Sequence, residues 1–172
     1  FGTCGWSDHS APWNNRGKSA SGLQHHSFGN DFGCVEVDST CYNYPRMSTI
    51  KAWINSTPNF FLFHVKLFGF LCSRGGSVQS LPSSVRSLLN VKTGWISDKE
   101  MHPAAKQLLW KMSNEMLTPL IRQNKMGVVV LQFHLNFHPN GENREYIRRC
   151  RRNLRGDVRM AIEFRARSWL RG

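Results

Sequence analysis

The residues with chemistry to offer lie on short alternating runs: Val35-Glu36-Val37-Asp38, Phe63-His64-Val65-Lys66, Val130-Leu131-Gln132-Phe133-His134 and Ala161-Ile162-Glu163-Phe164-Arg165. Successive side chains on a strand point to opposite faces, so each run has an apolar face and a polar one. The polar groups gather near the C-terminal end of each run. Carboxylates on two strands can serve as acid and base when their surroundings separate their pKa values, which makes Glu36 and Glu163 candidate proton-transfer groups. They are equally suited to ion pairs with Lys66 and Arg165. Lys66 is a candidate catalytic residue in its own right, since a desolvated lysine forms Schiff bases, and its simpler role is to hold a phosphate. Arg165 suits a two-pronged grip on a carboxylate or phosphate. Asp38, Gln132 and His134 join it as candidate ligand-binding residues. Trp6, Tyr42 and Trp169 are candidates for an aromatic wall against a sugar or base, or for packing at a rim.

Stepping outward from these groups, the segments between the runs read as helices, and strands alternating with helices imply a parallel sheet. The polar face then looks inward. Ionisable groups inside such a sheet, at the C-terminal strand ends, are the arrangement by which a (β/α) barrel builds an active site. Strands are predicted over residues 2–6, 34–38, 60–67, 127–133 and 158–165. A helix is predicted over Met47–Asn55, with Ile50, Trp53 and Ile54 on one face and Thr57-Pro58 as its stop. Ser97-Asp98-Lys99-Glu100 has capping-box form and predicts a helix from there to residue 125, kinked at Pro119. A basic helix is predicted over residues 143–154, after the Pro139-Asn140-Gly141 turn. Residues 7–30, rich in Ser, Asn, Gly and His, read as a loop, and residues 72–84 are rich in Gly and Ser.

With 172 residues the chain is shorter than the roughly 200 to 250 that an eight-stranded barrel uses. It begins at Phe1, and the expectation is a single, incomplete domain over residues 1–172. No run of 18 apolar residues occurs and no leader precedes the first strand, so neither a membrane span nor a signal peptide is expected. Five cysteines without close pairing favour reduced thiols in an intracellular compartment. His134 and His138 are four apart but straddle a strand end with no carboxylate beside them, so no metal is expected. The phosphate-binding loop, the dinucleotide fingerprint and Gly-x-Ser-x-Gly are absent, and no cofactor is expected.

Net charge is +12, and residues 144–171 alone hold ten arginines against Glu145, Asp157 and Glu163. Such a field attracts phosphate backbones, with Arg148, Arg151, Arg152 and Arg155 on the predicted helix as the gripping residues. Its plainer meaning is a solvated helix face, and on that expectation reversing these four charges leaves the fold intact.

Taken in order, Gly2-Thr3-Cys4-Gly5-Trp6, Val35 to Tyr42, Trp53 with Thr57-Pro58, Phe63 to Lys66, Leu131-Gln132, and Ala161 to Arg165 with Ser168-Trp169 resemble the YecE-like family, domain of unknown function 72. Asp38, Cys41 and His134-Leu135 stand where that family usually has Asn, an aromatic and Pro-Pro. The resemblance implies a TIM barrel of which this chain holds about the first five strands of eight, and it brings no settled activity. Expected function is therefore an enzyme-type barrel domain holding a small anionic or phosphorylated ligand. The alternatives are a nucleic-acid-binding or processing domain and an inactive fragment.

Overall fold

In a computed structural model, residues 2–4 and 32–171 are described. The predicted parallel sheet is present. Its strands are β1 (Gly2–Cys4), β2 (Cys34–Val37), β3 (Leu62–Lys66), β6 (Met126–Phe133) and β7 (Arg159–Phe164), and every neighbouring pair runs parallel. They lie side by side in chain order, without the reversal of order that marks a doubly wound sheet.

The helices α1 (Met47–Asn55), α4 (Pro103–Arg122) and α5 (Gly141–Asn153) supply the other half of the core. Val35, Val37, Phe63, Val65, Leu131 and Phe133 are buried against Ile50 and Trp53 of α1, Leu109, Leu117 and Leu120 of α4, and Tyr146 and Cys150 of α5. Trp53 stacks on Phe63 with ring centres 6.2 Å apart. Trp53 ends up in the core because the 3.6-residue period puts it one turn from Ile50. The end of α1 is fastened by Lys125, itself only 3% exposed. Its ammonium donates to Ile54 O at 2.7 Å, Thr57 O at 2.7 Å and Thr57 Oγ1 at 2.9 Å, satisfying carbonyls that a helix C-terminus leaves open. Burial pulls its pKa below the usual lysine value.

The predicted start of the long helix is corrected. Ser97 and Glu100 do make the reciprocal bonds of a capping box, Ser97 N to Glu100 Oε2 at 3.0 Å and Glu100 N to Ser97 Oγ at 3.4 Å, but the box closes a turn rather than opening a helix. Pro103 decides this. A proline takes the first helical position and forces its predecessor out of helical geometry, so His102 is extended and its Nδ1 caps Ala104 N at 3.2 Å. Pro119 lies in the last turn of a continuous α4. The Gly- and Ser-rich residues 72–84 are structured. They hold β4 (Gly75–Ser77), which pairs antiparallel with β5 (Trp95–Ser97), beside the short helices α2 (Gly69–Ser73) and α3 (Ser83–Arg86). Gly75 permits that pairing, because a Cβ there would lie 3.0 Å from Ile96 O at a φ of 157°.

Between β3 and β6 the register slips. Phe63 pairs with Met126 while Val65 pairs with Val129, so His64 alone faces both Gly127 and Val128. The imidazole Nδ1 accepts the Val128 N–H at 3.2 Å, and a Cβ on Gly127 would come within 2.5 Å of that nitrogen. Gly127→Ala should therefore cost about 1–3 kcal/mol, the usual range for overpacking. The same change in a His64→Ala background should cost much less, read by denaturant unfolding of the four proteins. Equal costs in both backgrounds would show that the ring is not the obstacle.

Candidate functional site

At the C-terminal ends of β2 and β3 the chain makes one compact arrangement. Beyond Val37, residues Ser39–Cys41 form a single 3₁₀ turn, with Cys41 N donating to Asp38 O at 3.0 Å. Thr40 is fully buried, and its hydroxyl lies 2.8 Å from Val37 O and 2.7 Å from Lys66 O. That hydroxyl ties the turn to the last residue of β3. Asp38 is thereby aimed at the neighbouring strand, and its Oδ1 lies 2.6 Å from Lys66 Nζ. Glu36 Oε1 lies 3.2 Å from the same ammonium, with the Cys4 thiol 3.7 Å away on the far side.

A second pair stands on β6 and β7. Gln132 and Glu163 are register partners, and Gln132 Nε2 donates to Glu163 Oε2 at 2.5 Å. Arg165 Nε donates to Glu163 Oε1 at 3.1 Å. The sheet thus brings Glu36, Asp38, Lys66, Gln132, Glu163 and Arg165 to the face opposite the helices. Exposure falls across the group, from 51% for the Arg165 side chain through 41% for Glu163 to 13% for Lys66.

The surroundings set the charge states. Burial alone would lower the Lys66 pKa, but hydrogen bonds and charge from Asp38 and Glu36 outweigh it and hold Lys66 above the usual lysine value. At neutral pH it is an ammonium, which suits a cationic anchor and not a Schiff-base amine. For Glu163 burial works upward, yet hydrogen bonds from Gln132 and Arg165, with the charge of Lys66, hold its carboxyl below the ordinary range. Burial pushes the Cys41 thiol up, more than Lys66 pulls it down.

Of the aromatic candidates, Tyr42 and Trp169 do not meet there. Trp169 stacks on Phe164 at 4.1 Å and Phe137 at 5.9 Å, on the helix-facing side of β7, and its indole donates to Phe137 O. Tyr42 is 73% exposed and His134 is exposed. Trp6 lies outside the described residues. Sequence reasoning missed Thr40, Cys4 and Cys41. Thr40 had one available signal, a hydroxyl immediately past a strand end. A cavity of about 650 Å³ lies elsewhere, between α1 and α4, lined by Met47, Ile54, Glu115, Pro119 and Arg122.

The basic helix differs from its expectation. Arg151 donates to Val158 O at 2.6 Å, to Leu154 O at 3.3 Å and to Arg155 O, holding the segment between α5 and β7. Arg155 pairs with Asp157 at 2.7 Å and donates to Thr118 Oγ1 at 2.9 Å. Arg148 and Arg152 share Glu145. Two of the four arginines are therefore part of the fold rather than a solvated face, because a guanidinium offers enough donors to satisfy several carbonyls left open past a helix end.

A parallel sheet in chain order, with helices packed against it and ionisable groups at the strand ends, places the molecule among α/β proteins. Its sequence matches the model of the family described as "Protein of unknown function DUF72" over residues 1–172, and the chain belongs to that family. It is 31% identical over 170 residues to the UPF0759 protein YunF of Bacillus subtilis, covering 98% of this chain and 51% of that protein. A DUF72 family protein of Enterococcus faecalis is similar in structure, with a TM-score of 0.74 at 20% identity over 99% of this chain and 52% of that one. Another, from Thermotoga maritima, gives 0.55 at 21% identity over 82% and 44%. The chain spans about half the length of the relatives it matches.

Two predictions follow from these contacts. Arg151→Met, which strands three carbonyls, should lower stability by about 1–3 kcal/mol, whereas Arg148→Ala should leave it nearly unchanged; equal unfolding midpoints for the two variants would contradict the assignment. For Glu163 the folded carboxyl lies below its ordinary value of 4.5. Its contribution is complete above that pH and is lost as pH falls through the lower folded value. Melting temperatures taken from neutral to acid pH should accordingly fall less steeply for Glu163→Gln than for the parent, and parallel curves would refute the pairing.

Proposed function

We propose that the sheet is the first part of an incomplete (β/α) barrel domain of enzyme type, which binds a small polar ligand at the C-terminal strand ends and exchanges a proton with it through Glu163 or Glu36. Unbroken strand order and the likeness to the Enterococcus faecalis protein support the barrel. One observation carries the site: Glu163, kept ionised by Gln132 and Arg165, faces the same side as a lysine held between Glu36 and Asp38. An ionised carboxylate with one half-exposed edge can accept a proton, and displacement of Arg165 by a ligand would raise its basicity toward that of a free carboxylate. Lys66 and Arg165 remain the groups an anionic or phosphorylated ligand would meet, but such a ligand must first displace their carboxylates. The nucleic-acid alternative draws less support, since Arg151 and Arg155 are committed to backbone and to Asp157.

A fragment screen followed by amide NMR tests the reading. Polar fragments should cluster their shifts at the Gln132 side-chain amide and strand ends, and lose them in Lys66→Met. Hits confined to the groove between α1 and α4 would count against the site.

A further inference from the structure

The geometry points to a ligand site at the N-terminal ends of β3, β6 and β7, where His64, Arg159 and Asn124 hold a small organic oxyanion, a carboxylate or phosphate on a short aliphatic body. It is separate from the cluster at the C-terminal strand ends and does not depend on a ligand binding there. The slip between β3 and β6 fixes its first donor. His64 Nδ1 accepts the Val128 N–H at 3.2 Å, so the neutral ring carries its proton on Nε2. No side chain or carbonyl among the described residues accepts that proton, and the ring lines a cavity of about 410 Å³. Small-molecule sites occupy roughly 300–1,000 Å³, so the space suffices for such a ligand.

Strand register places the second donor. Arg159 is the partner of Val128 across the ladder between β6 and β7, and it shares the parity of Glu163 on β7 as His64 shares that of Lys66 on β3. Both side chains therefore stand on the face opposite the helices, on the two strands that flank Val128. Unlike Lys66 and Arg165, the Arg159 guanidinium forms no ion pair among the described residues. Asn124 supplies the third donor. It lies in the turn before β6 with a φ of 53°, a left-handed conformation that asparagine tolerates, and its side-chain amide has no partner among the described residues. The one carboxylate lining this cavity, Asp157, is already engaged, since Arg155 donates to its two oxygens at 3.0 and 2.7 Å. Uncommitted donors thus outnumber uncommitted acceptors. A carboxylate or phosphate accepts several N–H bonds at once, and a net charge of +12 favours its approach. Leu62, Ile121 and Met126 complete the wall with apolar surface, which suits the aliphatic body.

Isobutyrate, its neutral amide isobutyramide and inorganic phosphate, titrated into the whole chain at one neutral pH and followed by NMR at the His64 imidazole, test the assignment. Isobutyrate should bind about tenfold more tightly than isobutyramide, the margin expected of one charged hydrogen bond. Arg159→Met should erase that margin. Asn124→Gly, which keeps the left-handed backbone and removes only the amide, should weaken isobutyrate about threefold and serves as a second variant should the first fail to fold. Phosphate binding more tightly than isobutyrate, with the same loss in Arg159→Met, would support the site and assign it to phosphorylated ligands, and the reverse order would support it and assign it to carboxylic acids. Equal affinity for acid and amide, His64 shifts that persist unchanged in both variants, or His64 resonances that none of the three probes moves would overturn the proposal.

Discussion

The single extra residue in β6 opposite His64 decides which groups reach the polar face. Were the pairing of Phe63 with Met126 continued without a slip, Lys66 would stand beside Val129, and every residue of β6 beyond that point would exchange faces. Leu131 and Phe133 would then face away from the helices, and Gln132 would enter the apolar core. The slip instead sets Lys66 beside Val130, so that Val129, Leu131 and Phe133 are buried under the helices. Because β7 follows β6 residue for residue, the same slip carries Glu163, the register partner of Gln132, to the polar face with it. Bulges in parallel pairs are uncommon, and this one is held by specific means. Gly127 leaves room for the imidazole, and His64 accepts the N–H that the irregular ladder leaves unpaired.

Downstream of that constraint the polar face is self-neutralising. Burying an ammonium to 13% exposure is unfavourable unless anions accompany it, and here two do. The contacts that keep Lys66 charged also occupy it, and the bonds that keep Glu163 ionised leave it half-exposed. The two strand pairs therefore have different capacities. The Lys66 cluster on β2 and β3 is a fixed charge array, whereas Glu163 on β7 can exchange partners with solvent or ligand at modest cost.

Much of this was legible from residue order because it depends on local period. The alternation in Val35 to Asp38 and in Ala161 to Arg165 separates core from polar face whatever lies between, and Met47–Asn55 shows its buried stripe at Ile50 and Trp53. What failed did so where two local signals competed or where none existed. Ser97 and Glu100 form their box, yet Pro103 determines where the helix starts. Gly75–Ser77 has no side-chain period at all, so its pairing with Trp95–Ser97 rests on backbone fit alone. Trp169 has the composition of a binding residue, but Phe137 and Phe164 offer it an apolar stack. Arg151 read as surface charge because nothing in the sequence tells a solvated guanidinium from one closing over three carbonyls.

Thr40 shows how far the polar face depends on the element behind it. Its hydroxyl carries one proton and lies within reach of two carbonyls, Val37 O and Lys66 O, which are the last acceptors of two adjacent strands. Sharing that proton between them links the two strand ends, and with them the 2.6 Å contact between Asp38 and Lys66. Gly69 completes the fastening from the next helix, since a Cβ there would lie 2.9 Å from Cys41 O. The turn after β2 is thus pinned to the end of β3 by Thr40 and packed closely against the start of α2. A charge array in which Lys66 must meet two carboxylates at once needs that rigidity, because moving the turn would part Asp38 from Lys66 while Glu36, anchored within β2, stayed in place.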